Sequence, residues 1–236
     1  SSRIGYNNPY GTFPALSLGW RLSKENFMRD LSWLSDLKLR AGWGKTGNQE
    51  IDPANSYSFF GGSIGGSSYD ISGTSNSVTP GYAIARFGNP DVRWETSSST
   101  NIGIDAALFN GKIDFVLDLY QRRTTDLLFN QRFPATAGLG AAPSVNIGDM
   151  ENRGFDLAIN YRGNIGSDLR FDIGLNASHY RNKILKVNES EDGFFADGFT
   201  RFGPISRGQK GHPIGAFYGY VVQGIFQNVG EVQAAA

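Results

Sequence analysis

The dominant pattern of this sequence is a strict alternation of apolar and polar residues, repeated in separate runs. A period of two is typical of β-strands, because successive side chains of a strand point to opposite faces. Six regular runs and a seventh, less regular one therefore predict an all-β, antiparallel protein. The runs are residues 16–22, 37–44, 101–108, 113–120, 155–161, 169–178 and 217–226.

The third and fourth runs are joined by Asn110-Gly111, which predicts a tight β-hairpin. Both central residues of a type I′ turn need a positive φ, and Asn-Gly is a preferred pair there. A two-residue loop places Leu108 opposite Ile113, and apolar residues then face apolar residues along both strands. A slip of one residue would mix the two faces, so we expect this register to be fixed.

The connections between the runs alternate in length. The short connections are 110–111 and 162–168, whereas the long ones are 46–95, 124–146 and 183–213. Because consecutive strands reverse direction, all long connections fall at one end of the predicted sheet and all short ones at the other. Outer-membrane barrels show this asymmetry, with short periplasmic turns and long extracellular loops.

Two architectures fit the alternation: a transmembrane β-barrel and a soluble β-sandwich, whose strands also alternate. Several runs reach eight residues or more, whereas strands average about 5–6 residues. Charged residues also lie deep inside the runs, as a wet lumen allows. We therefore favour the barrel, and we expect the polar face either to contact a plug or a solute or simply to hydrate a wide pore. The candidate lumen-facing residues are Arg21, Lys38, Arg40, Asp105, Asp118, Asp156, Arg170 and Asp172.

Composition narrows the function. Hydrophobic residues make up 39% of the chain, and no stretch approaches the ~20 apolar residues of a transmembrane helix. A net charge of zero provides no basic field for nucleic acid. The chain has no cysteine, which excludes disulfides and thiol chemistry.

No enzyme motif emerges. The two histidines, His179 and His212, lack metal-ligand spacing, and we predict no metal or cofactor. The glycine-rich segment 61–66 lacks the Gly-Lys-Ser/Thr of a phosphate loop.

Aromatic residues are frequent in the long loops. Such rings can stack on sugars or hold a protein partner, or they can pack the loop onto the barrel mouth. The candidates for substrate or partner contact are Tyr57, Phe59, Phe60, Tyr69, Tyr82, Phe194, Phe195, Phe199 and Phe202.

Six segments together resemble the SusC/RagA-type TonB-dependent outer-membrane transporters of the Bacteroidetes. They occur in the family's order and spread over nearly the whole chain, which makes the resemblance specific although each segment alone is weak. The segments are FPALSLGW (13–20), LKLRAGWGKTGNQ (37–49), NPDVRWET (89–96), RTTDLL (123–128), NIGDMENRGFD (146–156) and GHPIGAFYGY (211–220).

The resemblance implies a barrel of about 22 strands with an N-terminal plug, of which residues 1–236 supply about seven or eight strands. We expect a piece without signal peptide, plug or C-terminal closing strand. The implied function is import of glycans or peptides across the outer membrane, energised by TonB through regions outside this chain. The implied partner is a SusD-like surface lipoprotein that acts as a lid. A passive outer-membrane channel or structural barrel and a soluble β-sandwich that binds carbohydrate stay open as alternatives.

Overall fold

The computed structural model describes residues 3–62, 67–70, 73, 79, 81–130, 136, 140–187, 193–194, 199–200, 203–222 and 224–235, with the backbone alone for 193–194, 199–200, 203–204 and 235. Strands dominate these residues. They are β1 (Ala15–Arg21), β2 (Leu34–Asn48), β3 (Phe59–Gly61), β4 (Ala83–Arg86), β5 (Glu95–Leu108), β6 (Ile113–Thr125), β7 (Leu128–Asn130), β8 (Ser144–Asn146), β9 (Gly148–Ile165), β10 (Leu169–Val187), β11 (Gly193–Phe194), β12 (Phe199–Thr200), β13 (Gly203–Pro204), β14 (Ser206–Gln209) and β15 (Ala216–Phe217). Two 3₁₀ turns (Leu22–Lys24 and Asn26–Met28) and the short helix α1 (Val229–Ala235) complete the elements. No helix in the described part of the chain is long and apolar enough to cross a membrane.

The long strands form one antiparallel sheet in the order β1-β2-β5-β6-β9-β10, so each long strand pairs only with its neighbours along the chain. The connections 22–33, 109–112 and 166–168 lie at one end of this sheet. The much longer connections 49–94 and 126–147 lie at the other end. The predicted segregation of loop length is therefore confirmed.

The predicted β5–β6 hairpin has the predicted register, with Leu108 opposite Ile113 and Ile104 opposite Leu117. Asn110 and Gly111 both have positive φ, at 56° and 77°. Phe109 joins them in the left-handed region at 54°, so the turn contains one more unusual backbone conformation than the sequence predicted. The Phe109 amide donates a 2.7 Å hydrogen bond to the Trp33 carbonyl, which holds this conformation.

The strands extend further toward the long loops than the alternation predicted. β9 begins at Gly148 rather than at residue 155, and β10 ends at Val187 rather than at residue 178. At the opposite end, β9 continues to Ile165, which shrinks the predicted connection 162–168 to 166–168. The backbone ladder does not depend on an apolar face, so it continues where the alternation stops.

The seventh predicted run does not join the sheet. Among its described residues, 217–222 and 224–226, Phe217 alone is in a strand, β15, which pairs with β14. A strand needs a hydrogen-bonded neighbour and a surface for its side chains, but Tyr220 is 98% exposed and Val221 is 89% exposed. The sheet therefore has six strands, one fewer than the pattern predicted.

The sheet has no hydrophobic core of its own. Its apolar face is open: Leu16 is 73% exposed and Ile173 is 60% exposed. The described residues form no second sheet that covers this face, which argues against the soluble sandwich. The buried cluster Ile4, Ile51 and Val92, with Trp94 and Leu128 packed against it, instead lies at the long-loop end.

Candidate functional site

The eight candidate lumen residues all lie on the face of the sheet opposite the apolar side chains. This follows from the register: Lys38 is opposite Asp105, and Gly103 is opposite both Arg40 and Asp118. The same face continues onto β9 and β10, because Asp118 is opposite Asp156. That this polar face lines a lumen stays a prediction.

Arg40 forms the centre of an ion-pair cluster on the polar face. Its guanidinium donates to both Asp105 oxygens at 2.8 Å and to Asp118 Oδ2 at 3.1 Å. The three side chains come from β2, β5 and β6, and each is about one-third exposed. The planar, forked guanidinium suits this bidentate arrangement, so Arg40 links three strands in one fixed geometry.

Gly103 makes the space for this cluster. A Cβ at Gly103 would lie 2.5 Å from Asp118 Oδ1 and 2.7 Å from Arg40 Nη2. Both distances are shorter than van der Waals contact, so a side chain at position 103 would force the ends of the Arg40 and Asp118 side chains to move.

A second cluster was not predicted from the sequence. Arg162 contacts Asp114 Oδ2 at 2.7 Å and Asp172 Oδ2 at 3.3 Å. Of these, only Asp172 was a candidate, because the sequence assigned Arg162 to a turn. Asp114 lies on the polar side of the alternating run 113–120, and this position could have identified it as a candidate.

The other candidate residues of the polar face are less connected. Arg21 lies 3.4 Å from Asp36, which also accepts a hydrogen bond from Ser23. The structure records no ion pair for Lys38, Asp156 or Arg170 among the residues that it describes. The charges of the polar face thus form two clusters, the Arg21–Asp36 pair and three candidate charges without a recorded ion pair among the described residues.

The long connections hold each other through asparagine side chains, and we call their described part (49–62, 67–70, 81–94, 126–130 and 140–147) the loop-end cap. Asn55 is 2% exposed. Its side chain donates to the Ser144 carbonyl at 3.1 Å and accepts from the Ser144 amide at 2.6 Å. Asn89 also donates to the Ser144 carbonyl, at 3.1 Å. One side chain thus completes the backbone hydrogen bonding of a distant loop.

Asn146 has the same role beside it. Its side chain donates to the carbonyls of Arg93 and Asp126 at 2.9 and 2.8 Å and accepts from the Arg93 amide at 2.8 Å. Two backbone hydrogen bonds reinforce the contact: the Phe87 amide donates to the Ala141 carbonyl at 3.0 Å, and the Ala141 amide donates to the Ala85 carbonyl at 2.8 Å. The two long connections are therefore one packed unit.

An open recess of about 490 Å³ lies in the loop-end cap. Its wall includes Arg3, Glu50, Asp52 and Arg86. Arg86 donates to Asp52 Oδ2 at 2.6 Å. This hydrogen bond, with one from the Ala54 amide, lowers the pKa of Asp52, and Asp52 in turn raises the pKa of Arg86. The wall of the recess thus combines these charged side chains with apolar residues such as Ile51 and Pro53.

The candidate loop aromatics are exposed wherever their side chains are described. Tyr57 is 59% exposed, Phe60 70% and Tyr69 59%. The Arg86 guanidinium lies 6.0 Å from the Phe59 ring centroid. Only the backbone is described for Phe194 and Phe199, and Phe195 and Phe202 lie outside the described residues.

The described residues contain no group of three or more histidines or carboxylates that could hold a metal ion. His179 lies on the apolar face, 6.1 Å from the Phe155 ring. The His212 amide and carbonyl are both hydrogen-bonded, to Gln209 and Ile184.

Comparison with known proteins gives a consistent result. The family model described as "TonB dependent receptor-like, beta-barrel" matches residues 2–213. The chain is 33% identical over 229 residues to the TonB-dependent receptor P3 of Formosa agariphila, covering 96% of this chain and 22% of that protein. It is 34% identical over 239 residues to the TonB-dependent receptor SusC of Bacteroides thetaiotaomicron, covering 98% of this chain and 23% of that protein.

Solved structures agree. The RagAB peptide transporter superposes with a TM-score of 0.75 at 26% identity, covering 89% of this chain and 22% of that one. The RagAB peptide importer in its closed-closed state gives a TM-score of 0.76 at 27% identity, covering 90% and 22%. The chain thus spans less than a quarter of the length of these relatives.

Proposed function

Because this chain belongs to the β-barrel family of TonB-dependent receptors, we propose that it forms part of the barrel wall of an outer-membrane nutrient importer. In this proposal the apolar face of the sheet contacts lipid and the polar face lines the lumen. The long loops face the cell exterior and a SusD-like lipoprotein lid, and TonB supplies the energy through regions outside this chain. The substrates are oligosaccharides or peptides.

The observation that carries this proposal is the contrast between the two faces of the sheet. One face exposes large apolar side chains such as Ile173, whereas the other holds the Arg40 cluster. Lipid on one side and water on the other is the arrangement that stabilises both. The names of the relatives, a receptor SusC and a peptide importer, support nutrient uptake.

The structure suggests how the lumen wall serves transport. The cations of both ion-pair clusters are already engaged with carboxylates on their own wall. A mobile plug or a passing solute therefore meets a wetted surface on which Arg40 and Arg162 are already paired, so that it can separate from these two cations. The loop-end cap holds the exposed rings of Tyr57 and Phe60 beside the mouth, where they can contact substrate.

The test uses the full-length gene in a strain from which it has been deleted. Uptake of fluorescent oligosaccharides and peptides is measured with and without TonB. We expect uptake of one class to return with the gene and to cease without TonB. Uptake that persists without TonB would favour the passive channel, and so would conductance of the purified protein in planar bilayers.

A matched pair of variants tests the lumen face. Arg40→Gln leaves Asp105 and Asp118 without their shared cation, whereas Arg29→Gln changes an exposed arginine in the connection 22–33. We expect Arg40→Gln to change the uptake rate at an unchanged level of protein in the outer membrane. The Arg29 variant is expected to keep the rate of the parent.

A further inference from the structure

The apolar face changes its character abruptly on the side of the long loops. Along β9, the outward positions Leu157 and Phe155 are followed by Arg153, and along β10 Ala177 and His179 are followed by Arg181 and Lys183. The register places Arg153 opposite Arg181. These residues share the parity of the apolar side chains, so their charges lie on the lipid face rather than in the lumen.

Four cations gather at this edge: Arg123, Arg153, Arg181 and Lys183. With Glu151 they line an open recess of about 770 Å³. Arg123 and Arg153 are more than half exposed. A recess lined by four cations and one carboxylate on a surface otherwise in contact with hydrocarbon is a specific feature, because charges there are costly unless they meet a partner.

The carboxylates of this edge are already engaged. Glu151 accepts from Arg153 at 2.6 Å and from Gln121 at 2.5 Å and is only 12% exposed. Asp149 accepts from Arg123 at 3.0 Å. Among the described residues no carboxylate pairs with Arg181 or Lys183. The cluster thus keeps an excess of positive charge, concentrated on β10.

We propose that this cluster binds the phosphate groups of a phosphorylated lipid in the outer leaflet, of the lipid A type. The long loops mark the extracellular side, so the cluster lies at the level of the outer-leaflet head groups. Guanidinium groups bind phosphate through paired charge-assisted hydrogen bonds. Further along β10, beyond His179 and Ala177, Leu175 and Ile173 are 58% and 60% exposed and offer an apolar surface to the acyl chains.

The inference depends on the orientation of the sheet in the outer membrane and not on import activity. Binding is measured on purified full-length protein, so loss of transport does not affect the result. The probes are phosphorylated lipid A, the same lipid with its phosphates removed, and inorganic phosphate, with binding followed by native mass spectrometry from detergent micelles.

We expect phosphorylated lipid A to bind more tightly than its dephosphorylated form. The double variant Arg181→Gln/Lys183→Gln should weaken this binding by about tenfold or more, the loss of charge-assisted contacts to phosphate. The matched control is Arg29→Gln/Lys112→Gln, which removes one exposed arginine and one exposed lysine from the short-loop end. It should leave binding unchanged, whereas Arg181→Lys should retain most of it. Heat-modifiable gel mobility identifies any variant that has lost its fold.

Three outcomes would overturn the proposal. The first is equal binding of the two lipid forms. The second is an effect of the control variant as large as that of the β10 variant. The third is inorganic phosphate binding as tightly as lipid A, which would identify free phosphate as the ligand.

Discussion

The sheet and the loop-end cap are held together by opposite means. The sheet has long, continuous backbone ladders and almost no buried side chains, whereas the cap has short strands, a small buried cluster and side chains such as Asn55 that complete backbone hydrogen bonds. In the proposed barrel the sheet depends on lipid at its apolar face, whereas the cap carries its own packing. Substitutions in the sheet and in the cap should therefore have separate effects on the stability of the two regions.

The largest effect is expected on the lipid face. Leu175→Arg places a charge among apolar neighbours, which costs about 2–4 kcal/mol near the bilayer midplane. Asn176→Arg, on the next residue of the same strand, turns the same side chain to the polar face and should cost much less. Urea unfolding of the full-length protein in lipid vesicles measures both. Equal losses of stability would contradict the assignment of the faces.

The next effect is expected in the cap. Asn55→Ala removes the acceptor of the buried Ser144 amide, at a cost of about 1–3 kcal/mol, whereas the Ser144 carbonyl keeps the hydrogen bond from Asn89. Hydrogen exchange should accelerate in residues 140–147 and remain slow in β9 and β10. The exposed Asn26→Ala serves as the control and should change neither region. Accelerated exchange throughout the sheet would show that the cap and the sheet unfold as one unit.

A smaller effect is expected at the polar face. Gly103→Ala forces a methyl group against Arg40 and Asp118, and overpacking of this kind costs about 1–3 kcal/mol. Because the Arg40 cluster is partly exposed, its side chains can move away from the methyl group and so reduce this cost. Gly219→Ala is the comparison, since its added Cβ meets nothing within 4 Å. Thermal unfolding of full-length protein ranks the two, and equal midpoints would show that the cluster rearranges freely.

The smallest effect concerns pH. The Arg86 hydrogen bond lowers the pKa of Asp52, so its stabilising contribution is complete above the usual pKa range of a carboxyl group and is lost as the pH falls through the lowered pKa. The protection factors of the β3–β4 amides, which correct for the slower intrinsic exchange at acid pH, should therefore decrease as the pH falls through that pKa. Asp52→Asn should abolish this pH dependence, and a dependence that persists in that variant would assign it to another group.

The β5–β6 hairpin was predictable because its register follows from a local turn and from alternation on both strands. The family resemblance was also confirmed, by the match over residues 2–213. For the Arg40 cluster, the sequence predicted only that Arg40, Asp105 and Asp118 lie on the same face of the sheet. Its pairing with Asp105 depends on the register between β2 and β5, which a long connection separates.

The cap could not be predicted. Asn55 and Ser144 are far apart in sequence, and a single asparagine has no periodic signal to mark it. The ends of β9 and β10 nearest the long loops were not predicted, for a related reason. There Arg153 and Arg181 replace the apolar residues on which the alternation depends, while the hydrogen-bonded ladder continues.

The neighbour-only pairing of the six strands has a kinetic consequence. The β9–β10 hairpin closes through a three-residue turn and pairs along nearly its full length, so the entropy lost on closing its loop is small. The β2–β5 pair must first bring together the ends of the connection 49–94, which is slower. The β5–β6 hairpin also closes through a short turn, residues 109–112. We therefore expect the two hairpins to form first, and the β2–β5 and β6–β9 pairings, which close long connections, to follow.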